Sequence, residues 1–481
     1  MRDSRERRVI ADLKPYPAYR LAEGEWLGNV PAHWTVRRIK YIVQEVDARS
    51  KTGEEQLLRV SQFTGVTRRL KLEGQDGQDT RAASLVGYKR VEPDELVINI
   101  MLAWNGSMGV SRFAGIASPA YCVYRFNQGA LPWYFHHLFR SPAYKARIKA
   151  MSTGVVESRL RLYSDDLFRI ESLLPPPDEQ AAIVKFLDWA NARLERTIRA
   201  KRRVIALLTE QKQAIIHRAV TRGLDPTVPL KPSGIAWLGD IPAHWSVVTI
   251  GNSLSMIQTG PFGSQLHSHE YVTAGIPIVN PSHMRDGKIV PSLDVTVSDN
   301  KFKELERHRL CLGDVVAARR GELGRCALVN EAEDGWLCGT GSLLLRCKTG
   351  MVLPAYFASV FSSSGISEML NQSSIGATMA NLNAGTVARQ RIPLPPLDEQ
   401  QEIWQFVDRE SKKSDTTIDK FNREIDLLRE YRTRLVADVV TGKLDVREAA
   451  ARLSQDELDA AVEPEAPDPL DASDAEAELE E

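Results

Sequence analysis

Two segments of the chain combine glycine with polar and basic side chains of the kind that contact base edges in the major groove of DNA. In the first half, a β-like run at residues 95–100 leads into the segment 101–109. In the second half, a β-like run at 314–318 leads into 319–324, and another β-like run follows. Because glycine lets a backbone approach a ligand closely, each segment predicts a recognition loop between two strands.

The candidate DNA-binding residues form two sets, one in each half of the chain. The first set is Arg68, Arg69, Lys71, Trp104, Asn105, Ser107, Arg112, Arg159 and Arg161. The second set is Gln258, Ser264, Gln265, Asn280, His283, Arg285, Arg319, Arg320 and Arg325. For each residue the alternative is a solvated surface charge or a turn former. Sequence does not separate residues that contact bases from residues that position phosphates.

Catalytic and metal-binding motifs are not apparent in the sequence. The Asn-Pro-Ser-His tetrapeptide at 280–283 is the nearest match to an amino-methyltransferase motif, but it lacks the second proline and the aromatic residue. There is no phosphate-binding G-x-x-x-x-G-K-S/T loop, and Asp94 and Glu95 are not followed by the Glu-x-Lys of a carboxylate nuclease. We therefore expect no catalytic residue, metal or cofactor on this chain; an unrecognised nuclease site is the alternative.

The charge distribution is uneven along the chain. The formal net charge is -1, but residues 456–481 contain twelve Asp and Glu and no Lys or Arg. Residues 1–455 therefore carry 62 basic and 51 acidic side chains, a net charge of +11. A basic body indicates a polyanionic partner, most often nucleic acid, although a mildly basic enzyme surface is an open alternative.

The chain is long enough for about three or four domains. Its 481 residues include no apolar run near the roughly 20 residues that a membrane span needs. Residues 1–8 carry charges of both signs with no apolar core after them, which argues against a secretory signal. The five cysteines form no C-x-x-C pair, so a cytoplasmic location is expected.

The sequence contains an internal repeat. The nonapeptide WLGNVPAHW at 26–34 recurs as WLGDIPAHW at 237–245, with seven of nine positions identical. The hexapeptide PPPDEQ at 175–180 recurs as PPLDEQ at 395–400, and 11 of the 29 residues from Thr197 to Asp225 recur from Thr417 to Asp445. The repeated Pro-Ala-His-Trp turn favours a structural role for its histidine. A tandem duplication with two similar lobes is therefore predicted.

The second part of each repeat predicts a long helix. Apolar residues recur at steps of three, four and seven, and neither proline nor glycine interrupts the pattern before Gly223 and Gly442, which suit C-caps. Asp178 and Asp398 are expected as N-caps. Roughly 40 residues at about 1.5 Å each give a rod near 60 Å long. The narrow apolar stripes favour an antiparallel coiled coil between the two helices; packing of each helix on its own lobe is the alternative.

The predicted fold class is α+β. Two mixed α/β lobes are joined by two long antiparallel coiled-coil helices in a pseudo-two-fold tandem repeat. The predicted limits are 1–175 and 226–395 for the lobes, 176–225 and 396–447 for the helices, and 448–481 for an acidic tail. Its low hydrophobicity and high charge predict a disordered tail.

Together these motifs resemble the specificity subunit of type I restriction–modification systems. The resemblance is carried by Tyr16-Pro-Ala-Tyr-Arg20, both nonapeptides, both Asp-Glu-Gln helix starts and the segment 219–225, and it covers about residues 14–447. It implies that each lobe is a target recognition domain for one half of a split, asymmetric DNA site. It also implies that the helices set the gap between the halves and dock two modification subunits.

The resemblance assigns the chemistry to other chains. Two methyltransferase (modification) subunits would use S-adenosylmethionine to methylate adenine, and two restriction/translocase subunits would use ATP and Mg. This chain would then be a non-catalytic subunit that binds double-stranded DNA without contacting a membrane. Two alternatives stay open at this point: a specificity subunit of a methylation-only system, and a duplicated scaffold that does not bind DNA.

Overall fold

The computed structural model describes residues 13–69, 84–156, 159–372 and 382–454. The chain divides into two compact units, of which unit 1 combines residues 1–201 with 423–481 and unit 2 comprises 202–422. Each of the two long helices therefore begins in one unit and ends in the other. The domain limits predicted from the repeat follow the sequence copies instead, and they stay a prediction.

The described α-helices include two that are more than 40 residues long. In chain order they are α1 (Pro132–Phe139), α2 (Pro142–Met151), α3 (Ser164–Arg169), α4 (Pro177–Arg222), α5 (Ile250–Ser253), α6 (Asp299–Glu304), α7 (Pro354–Phe361), α8 (Ser364–Gln372), α9 (Ala384–Arg389), α10 (Leu397–Val440) and α11 (Arg447–Arg452). The long helices α4 and α10 start one residue before the predicted N-cap aspartates. Proline suits this first position in α4, and the aspartates lie in the first turn, where the helix dipole favours negative charge.

The strands are short and lie in both units. Those of unit 1 are β1 (Tyr19–Leu21), β2 (Asn29–Pro31), β3 (Thr35–Arg38), β4 (Val43–Val46), β5 (Leu58–Ser61), β6 (Gly65–Arg68), β7 (Lys89–Val91), β8 (Leu96–Asn99), β9 (Met108–Val110), β10 (Gly115–Ala117), β11 (Tyr121–Phe126) and β12 (Glu171–Leu174). Those of unit 2 are β13 (Leu230–Pro232), β14 (Asp240–Pro242), β15 (Ser246–Thr249), β16 (Leu254–Thr259), β17 (Ile276–Val279), β18 (Met284–Arg285), β19 (Lys288–Ile289), β20 (Thr296–Val297), β21 (Val315–Ala318), β22 (Cys326–Leu328), β23 (Leu337–Cys338), β24 (Ser342–Cys347) and β25 (Arg391–Leu394).

Each unit contains a four-stranded antiparallel sheet with the same connectivity. The order is β4-β11-β8-β9 in unit 1 and β16-β24-β21-β22 in unit 2. The third strand of each sheet is fully buried, with Leu96 and Ile98 in unit 1 and Val315 and Ala317 in unit 2 lying in the main core. The predicted α+β fold class and the internal repeat are thus confirmed within each unit.

The repeated motifs bind one another inside each unit. In unit 1, Glu179 at the start of α4 accepts hydrogen bonds from the Trp34 indole at 2.8 Å, from His33 Nε2 at 2.7 Å and from the Tyr16 hydroxyl. In unit 2, Glu399 at the start of α10 is bonded to Trp245 at 3.0 Å and His244 at 2.8 Å. The structural role predicted for the two histidines is therefore confirmed.

The glutamine of each Asp-Glu-Gln motif is fully buried and fully bonded. Gln180 accepts from the Leu131 N–H at 2.7 Å and donates to the carbonyls of Gly129 and Pro175. Gln400 accepts from the Leu353 N–H at 2.8 Å and donates to the carbonyls of Met351 and Pro395. A buried amide with all three contacts fixes the loop before α1 or α7 against the start of the long helix.

The long helices are paired antiparallel in each unit. In unit 1, Glu195 pairs with Arg432 at 2.9 Å and Lys201 pairs with Glu424, so increasing numbers along α4 match decreasing numbers along α10. In unit 2, Lys212 pairs with Asp415 at 2.6 Å, and Gly223 lies beside Glu399. The predicted antiparallel helix pair is confirmed.

The ends of the helices also pack into the lobes. Ile183, Phe186 and Leu187 of α4 and Val439 of α10 lie in the main core of unit 1. Ile403 of α10 and Ala219 and Val220 of α4 lie in the main core of unit 2. Each helix therefore packs on the lobe of its own repeat at its start and on the opposite lobe at its end, which combines the two alternatives weighed from sequence.

Two glycines end the long helices as predicted. Gly223 (φ +71°) follows α4, and Gly442 (φ +77°) closely follows α10. In contrast, the predicted acidic tail begins inside α11, because Ala449 and Ala450 are buried in unit 1 and make this segment helical. The tail from residue 455 onward lies outside the described residues. Within the described ranges, no helix is both long and apolar enough to cross a membrane.

Candidate nucleic-acid interface

Both units place a loop at the same point of the shared sheet. Recognition loop 1, residues 100–107, joins β8 to β9, and recognition loop 2, residues 319–325, joins β21 to β22. In each sheet these two strands are antiparallel neighbours, and the second is the edge strand. The strand–loop–strand arrangement predicted from sequence is thus confirmed in both units.

The two loops are anchored by equivalent backbone hydrogen bonds. The carbonyl of Ile100, the first residue of loop 1, accepts from the Leu162 N–H at 3.0 Å. The carbonyl of Arg319, the first residue of loop 2, accepts from the Leu382 N–H at 2.9 Å. A buried leucine before a short helix therefore fixes the start of each loop.

Polar residues of loop 1 bond mainly within the loop. The Asn105 carboxamide oxygen accepts from the Ser107 N–H at 3.1 Å and the Ser107 hydroxyl at 2.9 Å, an arrangement typical of a turn. Trp104 is half-buried, with the Lys149 ammonium 5.2 Å from its ring centroid. Leu102, 40 % exposed, presents an apolar side chain at the surface of this loop.

Arg140, which sequence reasoning missed, holds loop 1 against the β5–β6 hairpin. It donates to the carbonyls of Ser61, Gln62, Phe63, Gly106 and Met108, at 2.6–3.4 Å. Burial, with a smaller contribution from the positive charge of Arg432, lowers the pKa of Arg140 to about 10. Its five acceptors come from segments about 35 and 80 residues away, so the local sequence gives no signal for this role.

Two candidate arginines of unit 1 are exposed and lie over aromatic rings. The Arg68 guanidinium is 4.5 Å from the Phe113 ring centroid, and the Arg112 guanidinium is 4.2 Å from that of Trp133. Such stacking orients a guanidinium while leaving its N–H donors directed outward. These two side chains are therefore more available to an external ligand than those of Asn105 and Ser107, which bond to each other.

The remaining candidates of unit 1 differ in exposure and in backbone pairing. Arg69 is half-buried, and Arg159 is exposed. Arg161 pairs through its backbone with Thr153 at 2.8 and 2.9 Å, one residue before the Leu162 anchor of loop 1. Lys71 lies outside the described residues.

In unit 2, two candidates make packing contacts within the unit. His283 is buried, and its Nδ1 lies 2.9 Å from the Ile278 carbonyl and accepts from the Asn280 N–H at 3.3 Å. The carboxamide of Asn280 lies against Gly339, where a Cβ atom would come within 2.1 Å of Oδ1. These contacts fix the turn at 280–283 against the segment before β24.

Gln258 is also engaged inside unit 2. Its side-chain amide lies 3.0 Å from Nδ1 of the buried His308, whose Nε2 accepts from the Arg307 guanidinium at 3.0 Å. Burial, with the positive charge of Arg307 second, lowers the pKa of His308 to about 4. The ring is therefore neutral at pH 7.

Loop 2 contains three of the candidate arginines, and two of them bond within unit 2. Arg319 donates to the Leu382 carbonyl at 3.2 Å, and burial, with the charge of Arg320 second, lowers its pKa. Arg325 pairs with Glu322 and donates to the Pro281 carbonyl at 3.3 Å. Arg320 is exposed and makes no such contact with the described residues.

The last candidates of unit 2 lie outside residues 319–325 of loop 2. Gln265 accepts from the Phe262 N–H at 3.2 Å and closes a short 3-10 turn. Arg285 is exposed on the β18–β19 hairpin, whose Asp286-Gly287 turn has positive φ at both positions. Ser264 lies in the 3-10 turn, and its side chain is outside the described set. The structure therefore brings the turn at 280–283, with Asn280 and His283, next to Arg325 of loop 2, which also carries Arg319 and Arg320. As DNA contacts, all the candidates stay predictions.

A buried carboxylate bonded to an arginine recurs in both sheets, and no local sequence signal predicts this arginine partner. Glu95 accepts from Arg125 on β11 at 2.7 and 3.1 Å and from the Glu92 N–H at 2.9 Å. Asp314 accepts from Arg346 on β24 at 2.7 Å on both oxygens and from the Cys311 N–H at 2.7 Å. The Asp94-Glu95 pair considered as nuclease chemistry is thus a structural element. Within the described ranges, no three His, Cys, Asp or Glu side chains are grouped to hold a metal ion.

Comparison with known proteins finds similarity to one family. Residues 244–426, which begin inside the second nonapeptide, match the family model of the type I restriction modification DNA specificity domain. The resemblance to type I specificity subunits inferred from the repeated motifs is therefore confirmed.

Curated relatives extend this similarity along most of the chain. The type I restriction enzyme EcoKI specificity subunit of Escherichia coli (strain K12) is 24% identical over 368 residues, covering 74% of this chain and 76% of that protein. The type I restriction enzyme MjaVIII specificity subunit of Methanocaldococcus jannaschii is 21% identical over 372 residues, covering 75% and 83%.

A solved structure supports the fold. A chain from a study of complex assembly and conformational transition of the type I R-M system matches with a TM-score of 0.60 and 17% sequence identity. The match covers 85% of this chain and 98% of that chain. At this identity the likeness concerns the fold, and it agrees with the two mixed units and two long helices described above.

Proposed function

We propose that this chain is the non-catalytic subunit that gives a type I restriction–modification complex its DNA specificity, with each recognition domain contacting one half of a bipartite target. The observation that carries this proposal is the pair of recognition loops. They leave equivalent strands and share an anchor, yet loop 1 exposes Leu102 and loop 2 exposes Arg320. A common frame with different surface chemistry suits two different half-sites, so the target is asymmetric.

The charge of the chain supports DNA as the ligand. Residues 1–455 have a net charge of +11, and exposed arginines lie on or near the strands that lead to the recognition loops. Phosphate contacts release counterions, so binding weakens steeply with salt. A duplicated scaffold that does not bind DNA would show no such salt-dependent retention.

The long helices carry the spacing and the docking roles in this proposal. Helices α4 and α10 fix the gap between the half-sites, and two modification subunits and two restriction/translocase subunits assemble on this chain. The modification subunits bring S-adenosylmethionine for adenine methylation, and the restriction subunits bring ATP and Mg. This chain contributes recognition only.

The test is to co-express this chain with the modification subunit encoded beside it and to map methylated adenines by single-molecule sequencing. We expect a split, asymmetric motif that disappears when this chain is omitted. Inserting seven residues, about two helical turns, into both α4 and α10 at matched positions would lengthen the gap and leave both half-sites unchanged. Methylation that is the same without this chain would contradict the proposed function.

A further inference from the structure

The three arginines of recognition loop 2 have different structural roles. Arg319 and Arg325 stand at its two ends and bond to the protein itself. A backbone hydrogen bond joins the two ends of the loop, since the Ala318 N–H donates to the Arg325 carbonyl at 2.8 Å. Arg325 is further held by its ion pair with Glu322. Both end arginines are therefore held by the protein, Arg319 through its Nε–H and Arg325 through Nε, Nη1 and Nη2.

The middle of loop 2 packs against Ser367 of α8. Leu323 is buried, and its carbonyl accepts from the Ser367 hydroxyl at 2.5 Å. Gly324 packs on the same serine, where a Cβ atom would lie 3.0 Å from the Ser367 Cβ. The backbone that carries the exposed side chains of loop 2 is therefore held in place, as a specificity-determining contact requires.

Only the segment 320–322 of loop 2 is exposed. Gly321 has φ +73°, and no atom of the described residues beyond its chain neighbours lies within 4 Å of the position a Cβ atom would occupy. A glycine there lets a duplex approach the backbone. A guanidinium offers two parallel donors that match O6 and N7 of guanine, the commonest specific contact in the major groove.

We propose that Arg320 is the specificity-determining residue of unit 2 and that it recognises a guanine in the half-site of that unit. This inference rests on the proposed function and deepens it. The equivalent loop of unit 1 exposes Leu102 instead, so the same contact is absent there. The half-site of unit 1 is therefore independent of Arg320.

The test measures binding of duplexes by the complex of this chain with its modification subunit. Each guanine of the mapped target is replaced in turn by 7-deazaguanine, which lacks the N7 acceptor. Replacement of one particular guanine, in one half-site, should lower the affinity of the complex for the duplex about 5-fold to 150-fold. Arg320→Gln should bind the unmodified and substituted duplexes equally. Arg320→Lys, which keeps the charge and can still donate to guanine N7, should retain part of this dependence.

Arg391→Gln is the matched control, because Arg391 is an exposed arginine of unit 2 that lies on β25 and is in neither candidate set. It should keep the guanine dependence of the unsubstituted complex. The inference is overturned if the affinity of Arg320→Gln still falls on 7-deazaguanine substitution. It is also overturned if Arg320→Gln lowers the affinity for specific and unrelated duplexes equally, or if no 7-deazaguanine substitution in either half-site lowers the affinity of the unsubstituted complex. Sequence-independent binding by the unsubstituted complex would instead contradict the proposed function itself.

Discussion

Trp34 donates its indole N–H to Glu179 over 2.8 Å and joins the first nonapeptide to a helix that begins about 140 residues later. The same relationship recurs in unit 2, where Trp245 donates to Glu399 over 3.0 Å. Two motifs that the sequence repeats separately are thus bonded to each other in both units. The duplication therefore preserves an interaction, not only a pattern of residues.

Replacing Glu179 by alanine should lower the free energy of unfolding by about 2–4 kcal/mol, because the buried donors of Trp34 and Tyr16 lose their acceptor. Glu399→Ala should cost less, about 1–2 kcal/mol, because Glu399 is 24% exposed against 4% for Glu179. Urea denaturation measures both losses. The exposed neighbour Asp178 is the control, and Asp178→Ala should cost under about 1 kcal/mol. Equal losses at all three positions would contradict this account.

Gly442→Ala should destabilise unit 1 by about 2–4 kcal/mol. A Cβ atom at Gly442 would lie 2.5 Å from the Pro31 Cδ, and φ is +77°. Gly87→Ala is the matched control, since its φ is +85° but no atom of the described residues lies within 4 Å of the Cβ position. The control should cost only about 1–2 kcal/mol of backbone strain. Thermal melting of both variants measures the two losses of stability. Equal losses would show that the contact with Pro31 is unimportant.

Reversing one charge of the Lys212–Asp415 pair should weaken the helix pair in unit 2, and reversing both should restore it. The atoms are 2.6 Å apart and partly shielded from solvent, so we expect a coupling of about 0.5–1 kcal/mol. A double-mutant cycle with Lys212→Glu and Asp415→Lys measures it. Additive effects of the two substitutions would mean that the pair contributes nothing.

Unit 2 should lose stability on mild acidification because of His308. Burial lowers the pKa of this ring to about 4, against about 6.5 in the unfolded chain. Between these values the unfolded chain binds a proton that the folded chain excludes. The stabilisation is therefore complete above pH 6.5 and is lost as the pH falls toward 4, with a loss of about 2 kcal/mol at pH 5.

His308→Gln removes this titration and should make the decline between pH 7.5 and pH 5 smaller by about the same 2 kcal/mol. The urea midpoint at the two pH values, measured for both proteins, gives the comparison. An identical decline in the variant would show that His308 is not the group responsible.

Much of the fold could be predicted because its signals are local. The nonapeptides and the Asp-Glu-Gln motifs identify the repeat, and the apolar periodicity identifies α4 and α10. Glycine-containing segments between β-like runs also identified both recognition loops. These features depend on residues close together in the chain, so one sequence is sufficient to find them.

The chemistry of individual candidates could not be predicted, because it depends on partners far away in the chain. Gln258 is engaged by His308, 50 residues later, and Arg325 by Pro281, 44 residues earlier. From sequence alone, these side chains cannot be distinguished from that of Arg320, which makes no such contact within the described ranges. Arg140 was missed for the same reason, since its acceptors are backbone carbonyls of distant segments.

The most direct test of the central claim is an exchange of one recognition domain. Residues 226–395 would be replaced by the matching segment of a related chain with a different target, and methylated adenines would be mapped in cells that also express the modification subunit. We predict that one half-site changes while the other half-site and the gap stay the same. A change in both half-sites, or in neither, would contradict the assignment of one half-site to each recognition domain.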